Sequence, residues 1–349
     1  MGKPYERDTR APKEVSDDHA LHFLAEKGYL PLALADHPGM VEAYTDLFAQ
    51  SHKFFDLPAD SPQKTTYQAV SGPAASEEGY STIPREKSIL TTRTSNRCPV
   101  ILHDQLKTAW DLTGKFMQNI TTAIAKTLGL DPNVFGPLVE PCANLTDEKT
   151  PTQLRMFRYD RPQGIETTVN AEKHKDLGLL SLVIGHSPGL QVLDTSASRW
   201  VSIEEEPAIS PTSFARSDGL TATLLGGETL AFLTRNKYKA GVHRVVCAPA
   251  SIINDPYRFS IVFTLRPADA PLYTKNFESD ITGDFEAHER ADGDSSSVLF
   301  GKIMRSHWNI NAARDVREKQ KEERGLKHKA MVVAGGGQSD VELTKPLSG

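Results

Sequence analysis

Near Thr152 the hydrophobic period of the chain changes from helical to two. Downstream lie the short runs TQLRMFRYD, GLLSLVIG, LQVLD, RWVSIE, TLLGG, ETLAFLT, HRVVCAP and YRFSIVFTLRP. They are β-rich, and Gly, Pro and Asn punctuate them. Many short strands with such turns predict an antiparallel sandwich or barrel.

Upstream the pattern is helical. DDHALHFLAEKG predicts a helix with Asp17 or Asp18 at its N-cap and Gly28 at its end, followed by a short strand in YLPLAL. PGMVEAYTDLFAQSHKFFDLP predicts a second helix between Pro38 and Pro58, with Met40, Val41, Tyr44, Leu47 and Phe48 on one face. The Ser-, Thr-, Pro- and Gly-rich segment from Ala59 to Asn96 reads as a long loop. DQLKTAWDLTGKFMQNITTAIAKTLGL is the strongest helix. Its stripe of Leu106, Trp110, Phe116, Ile120, Ile124 and Leu128 predicts packing against a sheet. After Pro267 a polar stretch leads to a terminal helical region, apolar at first and then charged. The expected organisation is a helical region over 1–150, a β core over 151–268, a C-terminal helical or lid region over 269–328 and a disordered tail over 329–349.

Composition narrows the function. The 349 residues are ample for a sizeable core. The net charge is -5, and Lys and Arg are scattered, so no nucleic-acid partner is expected. No apolar run approaches the roughly 20 residues that span a bilayer. The polar start MGKPYERDTR is no signal peptide, and its Gly2 lacks the Ser or Thr of a myristoylation signal. Cys98, Cys142 and Cys247 are odd in number and far apart, with no CxxC, which predicts free thiols in a reducing, cytoplasmic setting and excludes a Cys-based zinc site. A monomer or weak homo-oligomer acting on a small molecule is expected.

Three groups carry chemistry. AEKHKDLGLLSLVIG reads as one buried strand with His174 and Asp176 at its front, two apart and so on one face. His243 opens a later strand in HRVV. Two imidazoles and one carboxylate are the ligand set of the facial triad, which leaves positions open on iron(II). In YRFSIVFTLRP, Arg258 and Ser260 are also two apart. A guanidinium and a hydroxyl together make a carboxylate anchor, and Tyr159 could add a donor from a neighbouring strand.

HxD, a distant His and RxS, in this order on short strands, resemble the iron(II)- and 2-oxoglutarate-dependent dioxygenases, and most closely their isopenicillin N synthase-like branch. KGYLPLAL, HKFFDLP, LRMFRYDRP, PGLQV and HRVV extend the resemblance over roughly Leu21 to Pro267. It implies an α+β, mainly β, double-stranded β-helix (a jelly roll) flanked by N-terminal and C-terminal helices. It implies iron ligands His174, Asp176 and His243, and 2-oxoglutarate bound by Arg258, Ser260 and Tyr159. Iron(II), 2-oxoglutarate and O2 would serve as cofactors, with ascorbate a candidate reductant. Decarboxylation of 2-oxoglutarate to succinate would then be coupled to hydroxylation, desaturation or ring formation on a small organic substrate of secondary metabolism. The family's NYY is broken by Phe157, and two segments, PAISPTSFARSDGLTAT and APASIINDP, lengthen the core.

Further candidates lie outside the motifs. Arg155 alternates with Phe157 and Tyr159 on one strand face, so it can reach the pocket or form a structural ion pair. EEGYSTIPREKSILTTR resembles the family's substrate-covering segment and offers Tyr80, Lys87 and Arg93 as substrate contacts. An Arg93 or Arg155 facing the metal would favour a substrate with a carboxylate. His186 is expected on a turn, and His307 and Trp308 on a lid. Two other readings stay open: an isopenicillin N synthase-like oxidase that does not use 2-oxoglutarate, and a non-catalytic binding scaffold.

Overall fold

From the period change at Thr152 onward the chain supplies most strands of two facing sheets. The computed structural model describes residues 18–70, 77–204, 220–305, 307 and 309–334. In chain order the elements are α1 (Asp18–Lys27), β1 (Tyr29–Leu32), α2 (Met40–Asp56), α3 (Pro62–Thr65), β2 (Gly79–Ile83), β3 (Lys87–Thr92), α4 (His103–Thr127) and α5 (Gly136–Val139). Then follow β4 (Gln153–Asp160), β5 (Thr168–His174), β6 (Leu180–Gly185), β7 (Leu190–Asp194), β8 (Arg199–Ser202), β9 (Thr221–Gly226), α6 (Glu228–Leu233), β10 (His243–Cys247), α7 (Ala250–Ile253) and β11 (Tyr257–Leu265). The C-terminal part holds β12 (Pro271–Tyr273), β13 (Asp292–Ser295), α8 (Ser296–Met304) and α9 (Arg314–Ala334).

The larger sheet runs β1-β9-β6-β11-β4-β3-β2 and the smaller β5-β10-β7-β8, all antiparallel. This is the expected jelly roll. The outer face of the larger sheet meets the helices. The α4 stripe packs there, with Trp110 edge-on to Phe263 at 5.1 Å and its indole N–H donating to the Cys142 carbonyl. Each fully buried side chain of this layer adds roughly 1.5–3 kcal/mol. Between the sheets the apolar packing splits in two. Val183, Leu190, Val192, Val201 and Leu225 fill one side, and Ile89, Phe157, Tyr159, Ala171, Val245 and Cys247 the other. β11 runs between these clusters and turns Arg258 and Ser260 into the space.

Three expectations need correction. The segment from Ala59 to Asn96 is no plain loop, because it supplies the β2–β3 hairpin at the edge of the larger sheet. Every residue of β3 is buried, so both faces are covered and the polar-out alternation that marks a strand is missing. AEKHKDLGLLSLVIG is not one strand either. It ends β5 at His174, turns over Lys175–Leu179 and enters β6 in the other sheet.

Thirdly, ETLAFLT is helical. The N–H groups of Gly227, Glu228 and Thr229 donate to the carbonyls of Leu179, Asp176 and Gly178, so the turn after β5 supplies acceptors to the start of α6. Gly227 is needed for this fit, since a Cβ there would lie 2.0 Å from the Gly178 carbonyl oxygen. At the C-terminus the helix α9 continues to Ala334, past the expected start of the tail; residues 335–349 lie outside the described residues. So do residues 1–17, Trp308 and most of the PAISPTSFARSDGLTAT insertion. The three cysteines are free and buried.

Candidate metal centre and carboxylate seat

His174 is the last residue of β5 and pairs in register with His243, the first residue of β10. Asp176 sits just beyond, in the turn bound to α6. The ligand atoms of the three residues lie within 4.8 Å of one another. Asp176 Oδ1 is 3.7 Å from His174 Nε2 and 3.9 Å from His243 Nε2, and the imidazole centroids are 4.1 Å apart. Each ring is held by its other nitrogen. His174 Nδ1–H donates to the Glu172 carbonyl at 2.8 Å, and His243 Nδ1–H to the Gly241 carbonyl at 3.1 Å. Such bonds fix the tautomer and turn the Nε2 lone pairs toward Asp176.

The electrostatics suit a cation. Burial, with His243 close by, holds His174 down to about 3, so it is neutral at ordinary pH. Burial by itself raises the Asp176 carboxyl, but the two imidazoles, the Ser181 hydroxyl and Arg155 outweigh it and keep the group ionised. Asp176 Oδ2 is buried and has no hydrogen-bond partner. Two imidazoles and one carboxylate, with Asp176 Oδ1 facing both Nε2 atoms, fit a divalent iron.

Arg258 is fully buried on the inner face of β11, beside Tyr159 on β4, whose ring centroid lies 5.6 Å from its guanidinium carbon. Its Nε donates to the carbonyls of Ser187 and Pro188 at 3.1 and 3.3 Å. Gly189 lets the side chain pass, since a Cβ there would come 2.4 Å from Arg258 Nε. Nη2 donates to Glu204, 3.2 Å from Oε2 and 3.3 Å from Oε1. Nη1 has no partner. The ion pair with an acidic side chain is therefore present, yet it uses only part of the guanidinium, and the free Nη1 fits a second carboxylate. Burial raises the Tyr159 phenol, which keeps its proton and can donate; Ser260, also buried, hydrogen-bonds to it.

The remaining candidates fall into two groups. Lys87 and Arg155 face the interior, in register with Tyr159 and Thr91 respectively. Lys87 is buried, donates to the carbonyls of Asn170 and Ile310, and pairs with Glu86 at 3.3 Å. Burial holds its ammonium down to about 8. Arg155 acts on Asp176 and lies 3.5 Å from Glu77, which Arg266 also meets at 2.7 Å. Arg93 completes this basic cluster and donates to the Thr150 carbonyl through Nε and Nη2.

Tyr80 is a correction. It lies in register with Leu90, on the helix side of the sheet, against Phe54, Phe55 and Lys64 and away from the triad. His186 follows β6 and faces Phe48 and His52, also on the helix side. His307 reaches Glu228 at 2.9 Å, and the Glu228 N–H holds the Asp176 carbonyl, so the C-terminal segment closes over the turn of the triad. Sequence reasoning missed Glu77, Gln153, Glu204 and Arg266. For Arg266 a signal existed, since it continues the alternation of Arg258 and Ser260 along β11. The two glutamates lie in loops and carry no pattern.

The 2OG-Fe(II) oxygenase superfamily model matches residues 151–267, the span that holds the triad and Arg258. Residues 151–267 form a domain of the 2OG-Fe(II) oxygenase superfamily. This oxygenase is 22% identical over 253 residues to 2-oxoglutarate-dependent dioxygenase frbH of Dothideomycetidae sp. (strain 11243), covering 68% of this chain and 73% of that one. It is 31% identical over 128 residues to oxidoreductase vrtI of Penicillium aethiopicum, covering 37% and 28% of the two chains. Its fold resembles that of a full-length Neurospora crassa protein crystallised in complex with alpha-KG and 5-formyluracil, at a TM-score of 0.59 and 22% identity over 81% of this chain and 87% of that one. Iron(II), 2-oxoglutarate and O2 are its cofactors. The readings as an oxidase without 2-oxoglutarate or as a non-catalytic scaffold are not favoured. Among the described residues no helix is long and apolar enough to cross a membrane.

Proposed function

We propose that His174, Asp176 and His243 hold the iron of this oxygenase, and that Arg258, with Ser260 and Tyr159 beside it, holds the distal carboxylate of 2-oxoglutarate. The observation that carries this reading is the convergence of His174 Nε2, Asp176 Oδ1 and His243 Nε2, together with the buried, unpartnered Nη1 of Arg258. Leaving Nη1 without a partner would cost about 1–3 kcal/mol or more, so it marks a place for a bound carboxylate. When bound, iron(II) and 2-oxoglutarate would activate O2 for breaking a C–H bond, one oxygen atom going to succinate as CO2 leaves and the other serving the oxidation of the substrate.

The protein supplies the rest. The carbonyls of Glu172 and Gly241 orient the imidazoles, and those of Ser187 and Pro188 orient Arg258. Phe157, Val245 and their neighbours exclude water on one side of the site. The substrate is a small organic molecule of secondary metabolism, a reading supported by kinship to fungal 2-oxoglutarate-dependent dioxygenases. Three free cysteines suit the reducing cytoplasm. We take the chain to act as a monomer or weak homo-oligomer with no nucleic-acid partner.

The test is 2-oxoglutarate turnover with iron(II) and O2, followed by succinate release. Succinate formed by the wild type and lost in His174→Ala supports the reading. Equal release by both sinks the assignment of His174.

A further inference from the structure

A second anion seat lies beside the triad, on the side of Asp176 occupied by Arg155. Arg93, Arg155 and Arg266 converge on one carboxylate, Glu77. Arg155 Nη2 is 3.5 Å from Glu77 Oε1, and Arg266 Nη1 is 2.7 Å from Oε2. With its amide oxygen turned to the guanidiniums, Gln153 accepts from Arg155 Nη1 at 2.9 Å and from Arg266 Nη2 at 3.1 Å. The neighbouring Glu78 is committed elsewhere. It accepts from the N–H groups of Arg93 and Thr94 and from the Thr94 hydroxyl, and pairs with Lys149.

The cluster holds three guanidiniums around Glu77, while Glu78 also acts on Arg93 and Asp176 on Arg155. One donor is left over: Arg266 Nε is buried without an acceptor, which is costly out of water. Glu77, which also accepts from the Gln153 amide at 3.2 Å, is the most exposed of these groups, with 40% of its side chain exposed while the Arg155 and Arg266 side chains are 15% and 10% exposed. The carboxylate that compensates the arginines thus sits at the solvent side of the cluster, and Arg155 lies between it and Asp176.

We propose that this oxygenase acts on a carboxylic acid, whose carboxylate takes the place of Glu77 on Arg155 and Arg266. Planar guanidiniums match a carboxylate through parallel hydrogen bonds, and Glu77 already shows that a carboxylate fits between them. Seated there, the acid is held by Arg155, the guanidinium that also acts on Asp176. The inference rests on the site assignment above, because it places the substrate beside Asp176.

The test uses the anaerobic wild-type protein loaded with iron(II) and saturating 2-oxoglutarate. Straight-chain acids from acetate to decanoate, phenylacetate and indole-3-acetate are compared with their amides by thermal shift. The expected result is stabilisation by one or more acids and none by the matching amides. Glu77→Gln, which removes the competing carboxylate, should bind the same acids about tenfold more tightly. Arg155→Gln should lose the response.

Equal shifts from acids and amides would overturn the proposal. So would no shift from any acid in both the wild type and Glu77→Gln, or no tightening in Glu77→Gln. The iron–2-oxoglutarate absorption band is recorded for each protein. If Arg155→Gln lacks it, Glu77→Gln decides. If the wild type lacks it, the metal and co-substrate assignment has failed, and acid binding by Glu77→Gln still reads the second seat separately.

Discussion

Arg258 and Glu204 form a buried ion pair at 3.2 Å, with side chains 0% and 2% exposed, and the pair leaves Arg258 Nη1 free. Glu204 is bound in turn by the Leu190 N–H at 2.7 Å and the Thr221 hydroxyl at 3.1 Å. The proposed co-substrate seat is therefore a guanidinium already paired with one carboxylate of the protein. Glu204→Gln leaves Arg258 without its counter-charge, and breaking a buried pair costs about 3–5 kcal/mol. A second carboxylate would make up part of that loss. Saturating 2-oxoglutarate should therefore raise the melting temperature of Glu204→Gln more than that of the wild type. Equal increments would show that 2-oxoglutarate does not meet Arg258.

Gly189 gives a steric test of the same seat. A Cβ there would lie 2.4 Å from Arg258 Nε and 2.5 Å from the Val246 carbonyl oxygen, so Arg258 must move. Gly189→Ala should raise the 2-oxoglutarate concentration needed for half-maximal succinate release about tenfold or more. An unchanged value would mean that the position of Arg258 is not critical.

Much of this arrangement is legible in the sequence, and the gaps have physical causes. His174, Asp176 and His243 come together as their spacing suggests, although Asp176 is held by the start of α6 and not by a strand. ETLAFLT misleads because its composition suits a strand, and only acceptors from a turn some 50 residues upstream make it a helix. The β2–β3 hairpin hides among Ser and Thr residues buried on both faces. Glu204 and Glu77 reach arginines 54 and 189 residues away, a relation that no local pattern encodes.

Lys87 predicts a pH effect on stability. Burial lowers its pKa to about 8 in the folded protein, while an unfolded chain keeps that proton to about 10.4. Between these values the unfolded chain binds more protons, so the contribution of Lys87 to stability rises with pH across the window and is constant below it. The slope is at most about 1.4 kcal/mol per pH unit. Chemical denaturation of the wild type and Lys87→Met should show the difference between them moving in favour of the wild type from pH 8 to 10. A flat difference would contradict a depressed Lys87.

Arg317 ties α9 to Glu86, in the turn between β2 and β3, and to Glu172 on β5. It is 7% exposed and meets both Glu86 oxygens, at 2.9 and 3.0 Å, and Glu172 at 3.5 Å. Arg317→Ala should cost about 2 kcal/mol in the docking of that helix. Faster amide hydrogen exchange over residues 314–324, with α4 unchanged, is the expected readout.

The most direct test is anaerobic titration with iron(II) and then 2-oxoglutarate, followed through the visible charge-transfer band of the complex. The wild type should develop the band. Asp176→Ala should bind no iron and show none, while Arg258→Met should bind iron and need much more 2-oxoglutarate. A full band in Asp176→Ala at wild-type concentrations would contradict the assignment of the metal centre.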